Sequence, residues 1–97
     1  MKLRIGKRAQ RQAERIEKWW GEHRTEAATL FADELEQVFK AICERSDAGV
    51  SWPTARRPKL RRILMPRTEN HVYFQIDGET AYVVSIWGGP RGTTPKL

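Results

Sequence analysis

Residues 60–97, LRRILMPRTENHVYFQIDGETAYVVSIWGGPRGTTPKL, form the stretch that decides the fold. Asp77 and Gly78 lie between two runs in which apolar and polar residues alternate, as they do in half-buried strands. Asp-Gly is a preferred two-residue hairpin turn because both residues readily adopt positive φ. The pattern therefore predicts that residues 71–76 and 80–87 pair as antiparallel strands.

This two-residue turn also predicts the register of the hairpin. It places Phe74 opposite Ala81 and Tyr73 opposite Tyr82, and it assigns each side chain to one face of the sheet. The face predicted to cover the core carries Val72, Phe74, Ile76, Ala81, Val83 and Trp87. The opposite face carries His71, Tyr73, Gln75 and Tyr82. This second face is too polar for a core and is predicted to be a binding surface.

Length and composition limit the class of protein. The 97 residues are enough for one domain, 1–97, with a modest core of its own. Residues 88–97 are rich in glycine and proline and are predicted to form an irregular C-terminal tail. The single cysteine, Cys43, cannot form an internal disulfide. No apolar run approaches the roughly 18 residues of a membrane span, so we expect a cytoplasmic protein without a membrane partner.

The charge balance is basic. Lys and Arg number 18 against 12 Asp and Glu, which gives a net charge of +6. Such a surplus favours polyanionic partners, whether nucleic acid, a ribosome or an acidic protein segment. It also keeps a small domain soluble without any specific partner. Charge alone therefore leaves both interpretations open.

The first half of the sequence predicts a short strand and two helices. Residues 2–5 alternate as a strand does, and Ala9, Ala13, Ile16 and Trp20 then recur at helical spacing. This first helix is expected to end near Gly21, and Thr25 is expected to cap the second. The apolar stripe of the second helix comprises Ala28, Phe31, Leu35, Val38, Phe39 and Ile42. A short connection makes the two helices an antiparallel hairpin. Their apolar stripes must be buried, and we expect them to pack on a sheet.

Residues 45–58 lose this periodicity and predict a loop, in which Trp52 is expected to close the edge of the core. Residues 59–65 alternate again and predict a strand. The predicted fold class is therefore α+β: a strand, a two-helix antiparallel hairpin and then a three-stranded antiparallel meander.

Candidate chemistry is confined to one basic and aromatic surface. One cysteine and two distant histidines supply no metal-ligand spacing, and no motif predicts a cofactor. The surface comprises Lys59, Arg61, Arg62, His71, Tyr73, Tyr82 and Arg91. Cations of this kind bind phosphates, and His71 or Tyr73 could move a proton. The alternative is that the arginines are solvated strand residues and the tyrosines form an ordinary cross-strand pair.

The order of these elements and several short motifs resemble the RelE/ParE superfamily, the toxins of bacterial type II toxin–antitoxin modules. The resemblance covers nearly the whole chain, and no single motif in it is highly specific. It includes Lys7-Arg8-Ala9, Ile16-x-x-Trp19-Trp20, Phe31-x-x-Glu34-Leu35, Leu60-Arg61-Arg62, His71-Val72-Tyr73-Phe74, Ile86-Trp87-Gly88 and Arg91-Gly92. The resemblance implies a helical hairpin packed on one face of an antiparallel sheet, in agreement with the fold class above.

The same resemblance implies one of two activities. RelE-like members enter the ribosome and cut mRNA, and the matching catalytic set here would be Lys59, Arg61, His71, Tyr73 and Arg91. ParE-like members instead inhibit DNA gyrase and are not nucleases. This sequence has no Tyr or His near its C-terminus, and His71 stands where a RelE-like member has an arginine. The paired tryptophans 19 and 20 favour the ParE-like branch.

The resemblance to ParE-like toxins implies two partners, a cognate antitoxin protein and DNA gyrase. In the RelE-like alternative, the ribosome and mRNA replace gyrase. No cofactor or metal is expected in either branch. The residues predicted to bind the target are Arg61, Arg62, His71, Tyr73, Tyr82, Trp87 and Arg91.

Overall fold

The chain forms two helices and one five-stranded sheet in a computed structural model that describes residues 1–45, 47–88, 95 and 97. The helices are α1 (Lys7–His23) and α2 (Leu30–Glu44), with a short 3-10 turn at Thr25–Ala27 between them. The strands are β1 (Lys2–Ile5), β2 (Val50–Ser51), β3 (Arg61–Met65), β4 (Asn70–Asp77) and β5 (Thr80–Gly88). Neither helix of this described part is long and apolar enough to cross a bilayer.

The strands lie in the order β1-β5-β4-β3-β2. Strands β2 to β5 pair antiparallel, whereas β1 pairs parallel with β5. The predicted α+β class, with a strand, two helices and the antiparallel meander β3-β4-β5, is confirmed. The two-residue strand β2 is an addition to the prediction, because it lies within the stretch 45–58 that was expected to be a loop.

The core lies between the helices and one face of the sheet. Its buried residues from the helices are Ala9, Phe31, Val38 and Ile42. Those from the strands are Met65, Val72, Phe74, Ala81, Val83 and Ile86. The apolar stripes predicted for both helices therefore do cover the sheet.

The first helix ends two residues after the predicted Gly21, and the predicted cap of the second helix is wrong. Helix α1 continues through Gly21 to His23, and the N–H of Arg24 still bonds to the carbonyl of Trp20. A glycine lowers helix stability by only about 1 kcal/mol relative to alanine, so it does not by itself end a helix. Thr25 begins the 3-10 turn rather than α2, which starts after Thr29 without a side-chain cap.

The hairpin between β4 and β5 has a different turn from the one predicted. Its central residues are Gly78 and Glu79, and Asp77 pairs with Thr80 as part of the strands. Gly78 has a φ of +60° and Glu79 does not have positive φ. A glycine with positive φ at the first position alone is the type II′ pattern. Moving the turn by one residue shifts the whole register by two residues.

A β-bulge changes the far end of this hairpin. Phe74 pairs with Val83, but Tyr73 pairs with Ser85, so Val84 is an extra residue in β5. After this extra residue, the side chains of β5 point to the faces opposite to those expected from simple alternation. Ile86 is therefore buried in the core, and the prediction that Trp87 faces the core is wrong.

Gln12 of α1 contacts β5 just after this bulge. Its Oε1 accepts hydrogen bonds from the hydroxyl of Ser85 at 3.0 Å and from the N–H of Ile86 at 2.8 Å. Strand β1 pairs with β5 only as far as Val83. The side chain of Gln12 thus takes over as hydrogen-bond partner where β1 has ended.

A buried glutamate holds the turn between β3 and β4. Glu34 of α2 accepts hydrogen bonds from the backbone N–H of Arg67 (2.8 Å) and of Thr68 (3.1 Å), and from the hydroxyl of Thr68 (2.7 Å). The side chain of Asn70 donates in turn to the hydroxyl of Thr68 at 2.9 Å. Glu69 in this turn has a φ of +59°, which is uncommon for a residue with a side chain. The carboxylate therefore fixes α2 to an otherwise irregular turn.

Candidate functional site

The face of the sheet opposite the helices carries most of the residues predicted to bind a target. Leu64 pairs with His71, and His71 pairs with Trp87, so the three lie in one row across the sheet. Arg62 and Tyr73 form the neighbouring row. Paired residues project to the same face. We call these five residues the sheet-face site.

Trp52 extends this surface beyond the edge of β3. The guanidinium carbon of Arg62 lies 3.6 Å from the centre of the Trp52 ring, within the range of a cation–π interaction. Trp52 is 36% exposed, so the prediction that it closes the edge of the core is wrong. Its stacking on a guanidinium gives the indole a partner at the surface instead.

Arg61 lies on the other side of β3, because side chains alternate along a strand. Its Nε donates to the carbonyl of Ala48 at 2.9 Å, and its Nη2 donates to the carbonyls of Asp47 and Gly49, both at 3.1 Å. These bonds hold the loop before β2 against β3. The structure therefore separates Arg61 from Arg62, although the sequence placed both on one basic surface.

His71 has an electrostatic environment that favours its neutral form. Partial burial lowers the pKa of His71 from its usual value, and the nearby positive charge of Arg62 lowers it further. A neutral imidazole can accept a proton or a hydrogen bond near pH 7. His71 is thus the residue of the sheet-face site best suited to proton transfer.

The lowered pKa of His71 makes stability depend on pH. Below about pH 6.5, His71 is protonated to a greater extent in the unfolded chain than in the folded chain. We therefore expect stability to fall as the pH drops from 6.5 towards the pKa of folded His71. Urea melts of the wild type and His71→Gln at several pH values test this. The wild type should lose more stability than the variant, and parallel profiles would contradict the account.

The two tyrosines of the predicted surface are in different environments. Tyr73 is only 2% exposed, and its ring centre lies 6.3 Å from that of His71. Tyr82 is 38% exposed and pairs with Gln75. The cross-strand Tyr73–Tyr82 pair expected from the sequence is not formed, because of the shifted register. Tyr82 is accessible to a partner, whereas Tyr73 is not.

The other end of this face is polar. Lys59 Nζ lies 3.8 Å from a carboxylate oxygen of Asp77. The guanidinium of Arg57 donates to the carbonyl of Leu97 at 3.3 Å and to the side chain of Gln75 at 3.4 Å. Arg57 thereby links the last residue of the chain to β4. Sequence reasoning missed this contact because Arg57 lies in a stretch without periodicity.

Arg91, the remaining residue of the predicted set, lies outside the described residues. Gly88, predicted to begin the irregular tail, is instead the last residue of β5. Among residues 1–45, 47–88, 95 and 97, no group of three or more histidine, cysteine or acidic side chains could hold a metal ion.

No protein-family model and no curated protein matches this chain. The fold is similar to that of a chain in a solved structure described as "Chromosomal ParDE TA system from P. aeruginosa". The TM-score is 0.74 at 21% sequence identity, and the alignment covers 91% of this chain and 95% of that chain. The chain therefore shares its fold, over almost its whole length, with a chain of that ParDE system. This result confirms, at the level of the fold, the resemblance found in the sequence.

Proposed function

We propose that this chain is the toxin of a type II toxin–antitoxin module, that it arrests bacterial growth, and that a cognate antitoxin neutralises it. The observation that carries the proposal is the shared fold with a chain of the ParDE system, which extends over almost the full length of both chains. The basic charge of the protein supports the same proposal, because a polyanionic target or an acidic partner segment would complement it.

We propose DNA gyrase as the target. Two members of the set that the RelE-like resemblance implies for mRNA cleavage are engaged within the fold or inaccessible. Arg61 donates to backbone carbonyls, and Tyr73 is buried. By contrast, Trp52, Leu64 and Tyr82 are exposed large side chains on or near the same face. An exposed aromatic and aliphatic surface with one stacked arginine is suited to contacts with a protein.

Ribosome-dependent mRNA cleavage is the second candidate function. The observation that favours it is His71, whose lowered pKa leaves an imidazole able to accept a proton beside the cation of Arg62. Attack of a 2′-hydroxyl on a phosphate needs such a base and such a cation.

Expression of the chain alone in a bacterial host tests the proposed function. We expect growth to stop, and we expect filamentous cells with damaged DNA while bulk translation initially continues. Co-expression of the antitoxin should restore growth. Normal growth at a verified level of folded protein would contradict the toxin assignment. Early loss of translation with cut mRNA would instead select the second candidate.

Variants of the sheet-face site sharpen this test. Because a binding surface spreads its energy over several contacts, Arg62→Ala and His71→Ala should each weaken growth arrest only in part. Lys40→Ala is the control, since Lys40 is exposed on α2, away from this face. It should arrest growth like the wild type. Complete loss of toxicity in folded His71→Ala would favour a catalytic histidine.

A further inference from the structure

A cleft of about 580 Å³ lies outside the sheet-face site, between the C-terminal half of α1, the β3–β4 turn and the end of β5. Its apolar lining comes from Ile16, Trp19 and Trp20. A volume of this size is typical of a site that receives a ligand or an anchoring side chain.

The aromatic side of the cleft is both exposed and ordered by ring contacts. Trp19 is 45% exposed, although a large apolar side chain is normally buried. Its indole stacks on the imidazole of His23 at 4.8 Å with an angle of 12° between the planes. It also meets Trp20 edge to face at 5.6 Å. These contacts hold an apolar surface in place at the mouth of the cleft.

Three arginines, Arg15, Arg24 and Arg67, also line this cleft, against a single carboxylate, Glu69. None of these three guanidinium groups has a carboxylate partner among the residues that the structure describes. The cleft therefore combines an apolar lining with an excess of unpaired positive charge.

We infer that this cleft binds an acidic peptide segment of a partner protein, with an apolar side chain of the peptide inserted between Ile16 and the two tryptophans. The inference rests on the proposed function and deepens it by naming the surface and the chemistry through which a neutralising partner binds. An apolar centre with a charged rim, rich in Trp and Arg, is the usual anatomy of a strong protein contact. Arginine forks also match carboxylates in geometry.

Single-stranded nucleic acid fits the same cleft less well. It would stack its bases on exposed aromatic faces and follow a continuous line of cations. Here one face of Trp19 is covered by His23, and Glu69 interrupts the positive charge. The aliphatic side chain of Ile16 neither pairs with a phosphate nor stacks as an aromatic ring on a base.

The position of the cleft links it to the sheet-face site. Asn70 and Gly88 both line the cleft and pair with each other. His71 and Trp87, the next pair along the same strands, belong to the sheet-face site. Successive pairs project to opposite faces of the sheet, so a segment anchored in the cleft covers that site only if it continues around the ends of β4 and β5. Binding in the cleft and blocking of the target surface would then be one event.

Selection from a random-peptide library displayed on phage tests the inference with the full chain as bait. We expect the enriched peptides to be rich in Asp and Glu and to share one or two large apolar residues. The probe for later measurements is the most enriched peptide, synthesised with a fluorescent label. Its binding should weaken as salt increases, because part of the attraction is electrostatic. Failure to enrich any peptide, or enrichment of basic peptides, would overturn the inference.

Variants then locate the site of the enriched peptide. Trp19→Ala, and a triple change of Arg15, Arg24 and Arg67 to Gln, should each weaken binding by about tenfold or more in fluorescence anisotropy. Arg11→Gln is the matched control, since Arg11 lies exposed on the same helix but not in the cleft, and it should bind within about twofold of the wild type. Thermal melts confirm folding, and the arginine variant carries the test if Trp19→Ala does not fold.

The remaining outcomes separate this inference from the proposed function. Peptide binding that is unchanged in both cleft variants overturns the inference, even if the wild type arrests growth. A labelled oligothymidylate that binds more tightly than the peptide, with the same dependence on the three arginines, also overturns it. Peptide binding that depends on the cleft, in a protein that fails to arrest growth, supports the inference and removes the proposed function.

Discussion

Replacing Glu34 by alanine should lower the free energy of unfolding by on the order of 3–5 kcal/mol. The change removes the acceptor of three hydrogen bonds, from the backbone of Arg67 and Thr68 and from the hydroxyl of Thr68. An unsatisfied buried donor costs about 1–3 kcal/mol, and the loss of the carboxylate leaves three donors without this acceptor. For a domain of this size the melting temperature should fall by roughly 15 °C or more.

Glu36→Ala is the matched control for this experiment. Glu36 lies on the same helix and is exposed, so its loss should change stability by no more than about 0.5 kcal/mol. Glu34→Gln should have an intermediate effect, because the amide keeps one acceptor oxygen but presents N–H donors to the turn. Equal melting temperatures for Glu34→Ala and Glu36→Ala would show that the carboxylate does not hold the β3–β4 turn.

Gly49→Ala should destabilise the protein by about 3 kcal/mol or more. Gly49 has a φ of +72°, and an added Cβ would lie 2.5 Å from the carbonyl oxygen of Arg62. The left-handed conformation alone costs about 1–2 kcal/mol for a residue with a side chain. The contact costs more, because the obstructing atom is backbone in β3 and can move only if the pairing of β2 with β3 is disturbed.

Gly78→Ala separates these two contributions. Gly78 has a φ of +60° in the β4–β5 turn, but an added Cβ would meet nothing within 4 Å. Its replacement should therefore cost only about 1–2 kcal/mol. Urea melts of both variants measure the difference. If Gly49→Ala were no more destabilising than Gly78→Ala, the close approach of the loop to β3 would be wrong.

The sequence was sufficient to predict the two helices, the strands other than β2, and their layers. The apolar stripes of the helices and the alternation in β4 and β5 depend only on the spacing of residues within each element. An error of one residue in the position of a turn does not change that spacing. The register was not predictable in the same way. Asp77-Gly78 and Gly78-Glu79 are both plausible two-residue turns. The extra residue of the bulge is Val84, and without a glycine at this position the sequence does not indicate a bulge. The error over Trp87 follows directly from that bulge.

The candidate site was predicted only in outline. His71 and Arg62 share a face, and both belong to the basic and aromatic surface that the sequence analysis selected. The stacking of Trp52 on Arg62 and the hydrogen bonds of Arg61 to the loop could not be foreseen, since both depend on how residues 45–58 fold back on β3. The role of Glu34 was also missed. Its hydrogen-bond partners are more than thirty residues away, and the motif Phe31-x-x-Glu34-Leu35 does not indicate a contact with the β3–β4 turn.

The most direct test of the central proposal is the effect of the purified protein on DNA gyrase, measured beside ribosome-programmed mRNA cleavage. We predict that the wild type inhibits supercoiling, accumulates cleaved DNA and leaves mRNA intact on the ribosome. Arg62→Ala and His71→Ala should each retain part of the inhibition. Cleavage of ribosome-bound mRNA that disappears in folded His71→Ala, together with unaffected supercoiling, would contradict the proposal.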